Sequence, residues 1–262
     1  MLRQALKSEL ASVLWYAGGL AIGGFLIAVL YPSVRGSATQ LEQSFNGLPL
    51  TVRQSFGLTG FTSLPAFIAS EFLNFLWPAT VSVFVILSGA STVAQEIERG
   101  TAEFWLSAPQ SRARLLSAKL VALLAGIVVI VLATVAALVI AAAAIGRSLT
   151  LAGLAAVALV LASLGLAIGG YASLFSSFSN DRGRPAGIAA GLTIASYLAW
   201  IMAGLSARVS WLKHLSIFTA FQPGPALEHG SVDWLGILLL LLLGVASSAT
   251  ALWIFQRRDI TV

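Results

Sequence analysis

Residues 115–177 read LLSAKLVALLAGIVVIVLATVAALVIAAAAIGRSLTLAGLAAVALVLASLGLAIGGYASLFSS. Two long apolar runs are divided only by Gly146-Arg147-Ser148, and the first carries a single cation, Lys119, near its start. A bilayer's hydrocarbon core is about 30 Å thick, which a helix rising about 1.5 Å per residue crosses in roughly 20 residues. Each run exceeds that length, so each predicts a transmembrane helix that tilts or projects into water. The short break between them predicts a tight hairpin.

The same reading extends in both directions. Spans are expected near residues 13–31, 72–94, 115–145, 149–177, 186–206 and 234–256. An inner segment at 95–114 and outer loops at 32–71 and 207–233 complete one transmembrane domain over 1–262. Of the 262 residues, 58% are hydrophobic and 10% charged, whereas a soluble domain carries about 25% charged residues. Too little polar material is present to coat a globule, so the fold class expected is all-α integral membrane. Leu2, Leu6 and Leu10 recur at helical spacing beside Arg3, Lys7 and Glu9, which predicts an amphipathic interfacial helix leading into the first span. Tyr31-Pro32 and further spans follow that first run, so it reads as a retained helix rather than a cleaved leader.

With the N-terminus inside, ten of the 15 Lys and Arg fall on inner segments, among them Arg99, Arg112, Arg114, Arg182, Arg184, Arg257 and Arg258. The positive-inside rule then places both termini in the cytoplasm. The same bias accounts for the net charge of +5 without a nucleic-acid partner. Short interfacial helices are expected in 32–71, where Pro49 and Pro65 interrupt a mixed polar and aromatic stretch. Gly19-x-x-x-Gly23 and Gly165-x-x-x-Gly169 have the spacing that lets helix backbones approach in lipid. Trp15, Trp77, Trp200, Trp234 and Trp253 lie towards span ends, as an aromatic belt places several of them.

Several chemistries are excluded or disfavoured. There is no cysteine, hence no disulfide, thiolate metal site or thiol nucleophile. No phosphate-binding Gly-x-x-x-x-Gly-Lys-Ser/Thr loop, His-Glu-x-x-His zinc motif or Gly-x-Ser-x-Gly nucleophile elbow occurs. His214 and His229 share one outer loop with no evident third ligand, so surface histidines describe them better than a metal site. Apart from Lys119, the span cores carry no Asp, Glu, Lys, Arg or His, whereas proton-driven carriers need buried ionisable groups. The energy source is therefore expected outside this polypeptide.

Residues 95–119 suggest where that energy enters. Thr101 and Glu103 open a short helix, Phe104, Trp105 and Leu106 give it an apolar patch, and Pro109 ends it. Ser111 is placed to cap the helix that becomes the third span. Exposed aromatics at the inner face suit either a docking element or an anchor in the lipid headgroups, and the residues alone leave both open.

The run Glu98-x-Gly100-Thr101-x-Glu103-x-x-Leu106-x-x-Pro109-x-Ser111-Arg112, followed by Lys119, resembles the signature of permease subunits of type 2 ATP-binding-cassette exporters. The last outer loop, Leu215-Ser216-x-Phe218-x-x-Phe221-x-Pro223-x-x-Ala226-Leu227, is also similar to that group. Phe104-Trp105 departs from the aliphatic residues commoner there. The resemblance implies that Glu96, Glu98, Gly100, Thr101, Glu103, Phe104, Trp105, Leu106, Pro109, Ser111 and Arg112 form a coupling helix seated in a groove of a separate ATPase subunit. It implies no cofactor in this chain, with ATP and Mg bound by that partner. It further implies pairing with a second copy or a related permease, and residence in a bacterial-type inner membrane. The inner turn Asp181, Arg182, Arg184 reads equally as a second ATPase contact and as a solvated turn.

Three functions follow as expectations. The first is the permease half of an ATP-driven exporter. The second is an ATPase-linked transmitter of mechanical work to an extracytoplasmic partner in assembly or maturation. The third is an ion-coupled carrier acting alone, which the uncharged spans disfavour. Serines and threonines scattered through the spans, Ser82, Ser88, Ser91, Ser173 and Thr193, are compatible with a hydrophobic or amphipathic cargo. Such hydroxyls more often bond back to their own helices.

Overall fold

The structure, a computed structural model, describes residues 2–36, 47, 63–94 and 112–257. Its helices are α1 (Leu2–Arg35), α2 (Leu64–Ile68), α3 (Leu76–Ala90), α4 (Arg112–Ala144), α5 (Leu151–Phe178), α6 (Gly183–Leu205), α7 (Pro223–His229) and α8 (Trp234–Arg257). A π-turn, Ala69–Leu73, continues α2, and 3-10 segments at Ala207–Leu215 and Ile217–Thr219 follow α6. Among the described residues, five helices are long and apolar enough to cross a membrane, and a sixth crossing arises if α2 and α3 act as one broken span. The chain is an all-α, multi-pass membrane protein, as its composition predicts.

Two elements differ from the sequence reading. The N-terminal segment and the first span form one unbroken helix, α1, because no glycine or proline interrupts residues 2–17. The second span, expected to run straight through 72–94, is bent by 43° between Leu73 and Leu76. Pro78 supplies a cause. A proline ring clashes with the carbonyl four residues earlier, here that of Asn74, and lacks the N–H that would bond to it. Before that point the backbone widens into the π-turn, a common accompaniment of a helix kink.

The hairpin between α4 and α5 closes as expected. Gly146 adopts φ +65°, its N–H bonds to the Ala143 carbonyl and that of Arg147 to the Ala142 carbonyl, a C-terminal cap that favours glycine. The Thr150 hydroxyl then accepts from the Gly153 N–H to start α5.

Helix α5 is the central strut, touching α3, α4, α6, α7 and α8, while α1 lies along α4. Its small residues permit this. A Cβ on Gly170 would stand 2.5 Å from the Gly244 carbonyl oxygen, and one on Gly89 would stand 2.9 Å from that of Gly169. These crossings with α8 and α3 are backbone against backbone. Gly165 and Gly169, singled out by spacing, face Ile127 and Leu123 of α4. Gly23 faces Phe72, whereas Gly19 borders open space.

The two ends of α5 fix the direction of the broken span. At its start, Gly153 abuts the backbone at Leu227, and the neighbouring Glu228 accepts a 2.9 Å hydrogen bond from Ser63, just before α2. At its end, Ser176 meets Val93 and Ala94, just after α3. Residues 63–94 therefore run the length of α5.

Apolar side chains left exposed along α1, α6 and α8, such as Leu26, Leu192, Leu198, Leu239 and Leu242, form the surface offered to lipid. Trp15, Trp234 and Trp253 share that exposure, but Trp77 is fully buried. Its indole N–H donates to the Thr134 hydroxyl at 3.1 Å, so Trp77 packs the interior and is not part of an interfacial belt.

Candidate functional site

Glu96, Glu98, Gly100, Thr101, Glu103, Phe104, Trp105, Leu106, Pro109 and Ser111 lie outside the described residues; Arg112 is the first residue of α4. What the structure does describe is the root from which that segment leaves α3. The Ser176 hydroxyl of α5 is fully buried there. It donates to the Ala90 carbonyl at 2.7 Å and accepts from the N–H groups of Val93 and Ala94 at 3.1 and 3.0 Å. One side chain thus caps the end of α3 and orders the first residues beyond it. Orphan carbonyls and amides at a buried helix end need such partners.

The neighbouring hydroxyls extend this knot. Ser91 and Thr92 bond back to the carbonyls of Ser88 and Gly89. Ser88 donates to the Glu9 carboxylate of α1 at 2.8 Å, and the Lys119 ammonium of α4 reaches the Ser91 carbonyl at 3.4 Å. Side chains from α1, α4 and α5 therefore converge on the C-terminal end of α3. Sequence reading missed Ser176. The signal was the cluster Ser173, Ser176, Ser177, Ser179 at one span end, but nothing along the chain says which backbone such hydroxyls will meet.

The turn between α5 and α6 lies at the same end. Asp181 accepts from the Arg184 N–H at 2.9 Å and pairs with its guanidinium at 3.5 Å. Asp181, the residue before the N-cap Arg182, thus satisfies one amide in the first turn of α6, and the charged groups of Asp181 and Arg184 face solvent.

A second feature lies between α3 and α6, where a cavity of roughly 310 Å³ is bounded by Pro78, Ser82 and Ile86 on one side and Ala190, Thr193 and Tyr197 on the other. Phe75 and Phe218 also line it, and both pack against the Tyr197 ring at 6.1 and 5.0 Å between centroids. Phe218 belongs to the outer-loop run noted in the sequence. Ser216 ties that run to α6 by donating to the Ser196 carbonyl at 2.7 Å, and Phe221 stacks on Trp77 at 6.4 Å. The conspicuous residues of that loop are therefore packing residues that close over α3 and α6.

No charged side chain lines the cavity. Thr193 is already committed, donating to the Ala189 carbonyl and sharing a hydrogen bond with the Tyr171 hydroxyl. Ser82 differs. Its hydroxyl is buried and, among the described residues, is the one buried side-chain oxygen or nitrogen without a partner. The helical hydroxyls of Ser91, Ser163, Ser173 and Thr134 all bond back to their own helices.

A family model described as "ABC-2 family transporter protein" matches residues 13–260. No curated protein matches the chain.

Proposed function

The chain belongs to the ABC-2 family of transporter proteins, a multi-pass permease subunit of an ABC transporter, and on that premise we propose that it is the membrane half of an ATP-driven exporter. Two copies, or one copy and a related permease, form the pathway. Each binds one ATPase subunit through residues 96–112, with Asp181, Arg182 and Arg184 as a smaller second contact. ATP and Mg are held by the ATPase, and hydrolysis occurs there. Both termini face the cytoplasm of a bacterial-type inner membrane.

The match across residues 13–260 carries this reading, and the root of the inner segment supports its mechanics. Closure of the ATPases would displace residues 96–112 and pull on Val93 and Ala94, which hang from Ser176. That force enters α5, the helix in contact with α3, α4, α6 and α8. A push on one loop can then reorient most of the bundle.

The test is co-purification with the separately encoded ATPase. Trp105→Ala and Glu103→Arg should each abolish association while leaving the permease in the membrane. Retention of the ATPase after deletion of residues 98–110 would overturn the coupling assignment.

A further inference from the structure

The segment that follows α6, Ala207–Leu215, is a 3-10 helix of nine residues, a form seldom sustained beyond three or four. It is held at both ends. The Ser206 hydroxyl accepts from the Arg208 N–H at 3.3 Å, and the Ser216 hydroxyl donates to the Ser196 carbonyl of α6. At about three residues per turn, side chains three apart share a row. Val209, Leu212 and Leu215 form an apolar row, while Arg208, Trp211 and His214 form one that is exposed throughout, with the exposed Lys213 beside it. Leu198, Met202 and Leu205 carry the lipid-facing surface of α6 up to the start of the segment. The segment therefore sits where hydrocarbon gives way to headgroups, a level that its exposed Trp211 and Leu215 suit. Its cations need a separate reason, because the positive-inside rule supplies none for an outer loop. Among the described residues neither Arg208 nor Lys213 has an ion-pair partner. The carboxylates that follow in the chain are engaged elsewhere, Glu228 with Ser63 and Asp233 with the Gly236 N–H.

We propose that this segment binds an anionic phospholipid, with Arg208 and Lys213 pairing its phosphate and Trp211 and Leu215 seated among the upper acyl carbons. A zwitterionic headgroup carries its own ammonium, which offsets the attraction. A free phosphate would meet the cations but gain nothing from Trp211. An acidic protein would meet them too, yet Trp211 and Leu215 continue the lipid-facing surface of α6 rather than forming a patch apart from it. The consequence is mechanical. Ser216 and the Ile217 N–H both bond to Ser196, so a lipid held here moors the end of α6 to the bilayer surface. The binding does not rest on the permease reading; assigning it to the outer leaflet rests on the orientation proposed with that reading.

The experiment uses the purified chain in phosphatidylcholine nanodiscs with a trace of photoactivatable phosphatidylglycerol or phosphatidylcholine, each carrying a diazirine at the same upper acyl carbon. Labelled peptides are located by mass spectrometry. The glycerol lipid should label residues 207–215 roughly 25-fold more than the choline lipid, about fivefold for each of two cations. Arg208→Gln and Lys213→Gln should each cut that ratio about fivefold, and Arg208→Lys should keep it. Trp211→Ser should lower labelling by both lipids. Arg147→Gln removes an exposed cation from the α4–α5 hairpin and should change nothing. Equal labelling by the two lipids, or an equal loss from Arg147→Gln, would overturn the site. Displacement of the lipid by millimolar glycerol phosphate would replace it with a soluble anion as the occupant, and displacement by polyglutamate would replace it with an acidic protein; either overturns the proposal. An inverted topology leaves the labelling standing and overturns only the leaflet. Failure of the ATPase to associate counts against the permease reading alone.

Discussion

Ser82, Ser88, Ser91, Ser173 and Thr193 are indistinguishable in the sequence, each a small hydroxyl in an apolar run. The fold separates them. Ser91, Ser173 and Thr193 bond back to their own helices, Ser88 crosses to Glu9 of α1, and the buried Ser82 hydroxyl has no partner among the described residues. Ser176 is the residue whose role is most specific, because its hydroxyl serves three backbone groups at once. Ser176→Ala removes all three bonds and strands buried amides, each costing about 1–3 kcal/mol if unsatisfied. The end of α3 should fray while the rest of the helix holds. Hydrogen exchange reads this directly: the amides of Val93 and Ala94 should lose protection, and those of residues 81–86 should keep it. Uniform loss along α3 would show that Ser176 stabilises the whole helix rather than the root of the inner segment.

At the scale of elements, hydrophobic length locates the spans to within a few residues, and the α4–α5 hairpin follows from one glycine-containing break. Their contacts are less legible. Spacing picks out Gly19 with Gly23 and Gly165 with Gly169, yet a closer backbone crossing between two spans joins Gly170 to Gly244. A single chain's periodicity describes one helix face and says nothing about which other helix it meets. The kink at Pro78 was legible in principle, since proline forbids the bond to Asn74, but an apolar run conceals it. Gly170→Ala forces a Cβ into the α5–α8 crossing, where the Gly244 oxygen would lie 2.5 Å away, and overpacking of this kind costs about 1–3 kcal/mol. Gly18→Ala, with nothing within 4 Å of its Cβ, should be neutral or stabilise α1 by up to about 1 kcal/mol. Thermal unfolding of the two purified variants compares these costs, and an equal fall in midpoint for both would contradict the crossing geometry.

For the whole molecule, the number of crossings decides the topology. Five would place the termini on opposite sides and six on the same side, and the difference turns on whether α2, its π-turn and α3 cross together. Ser63 is bonded to Glu228 beside the start of α5, and Val93 and Ala94 are bonded to Ser176 near its end. Helix α5 has 28 residues, about 42 Å at the α-helical rise, which exceeds the hydrocarbon core. The bent pair therefore spans the same depth as α5, which predicts six crossings, and the excess of Lys and Arg predicts which face is cytoplasmic. The absence of cysteine makes this testable with single substitutions. A membrane-impermeant maleimide should label Ser63→Cys, Ser148→Cys and Ser231→Cys in intact cells, and Asn180→Cys only after permeabilisation. The reverse pattern would invert the orientation and move residues 96–112 away from any cytoplasmic ATPase. Protection of Ser63→Cys together with labelling of Ser148→Cys would reduce the crossings to five, leaving α2 and α3 as a re-entrant element that never passes through the membrane.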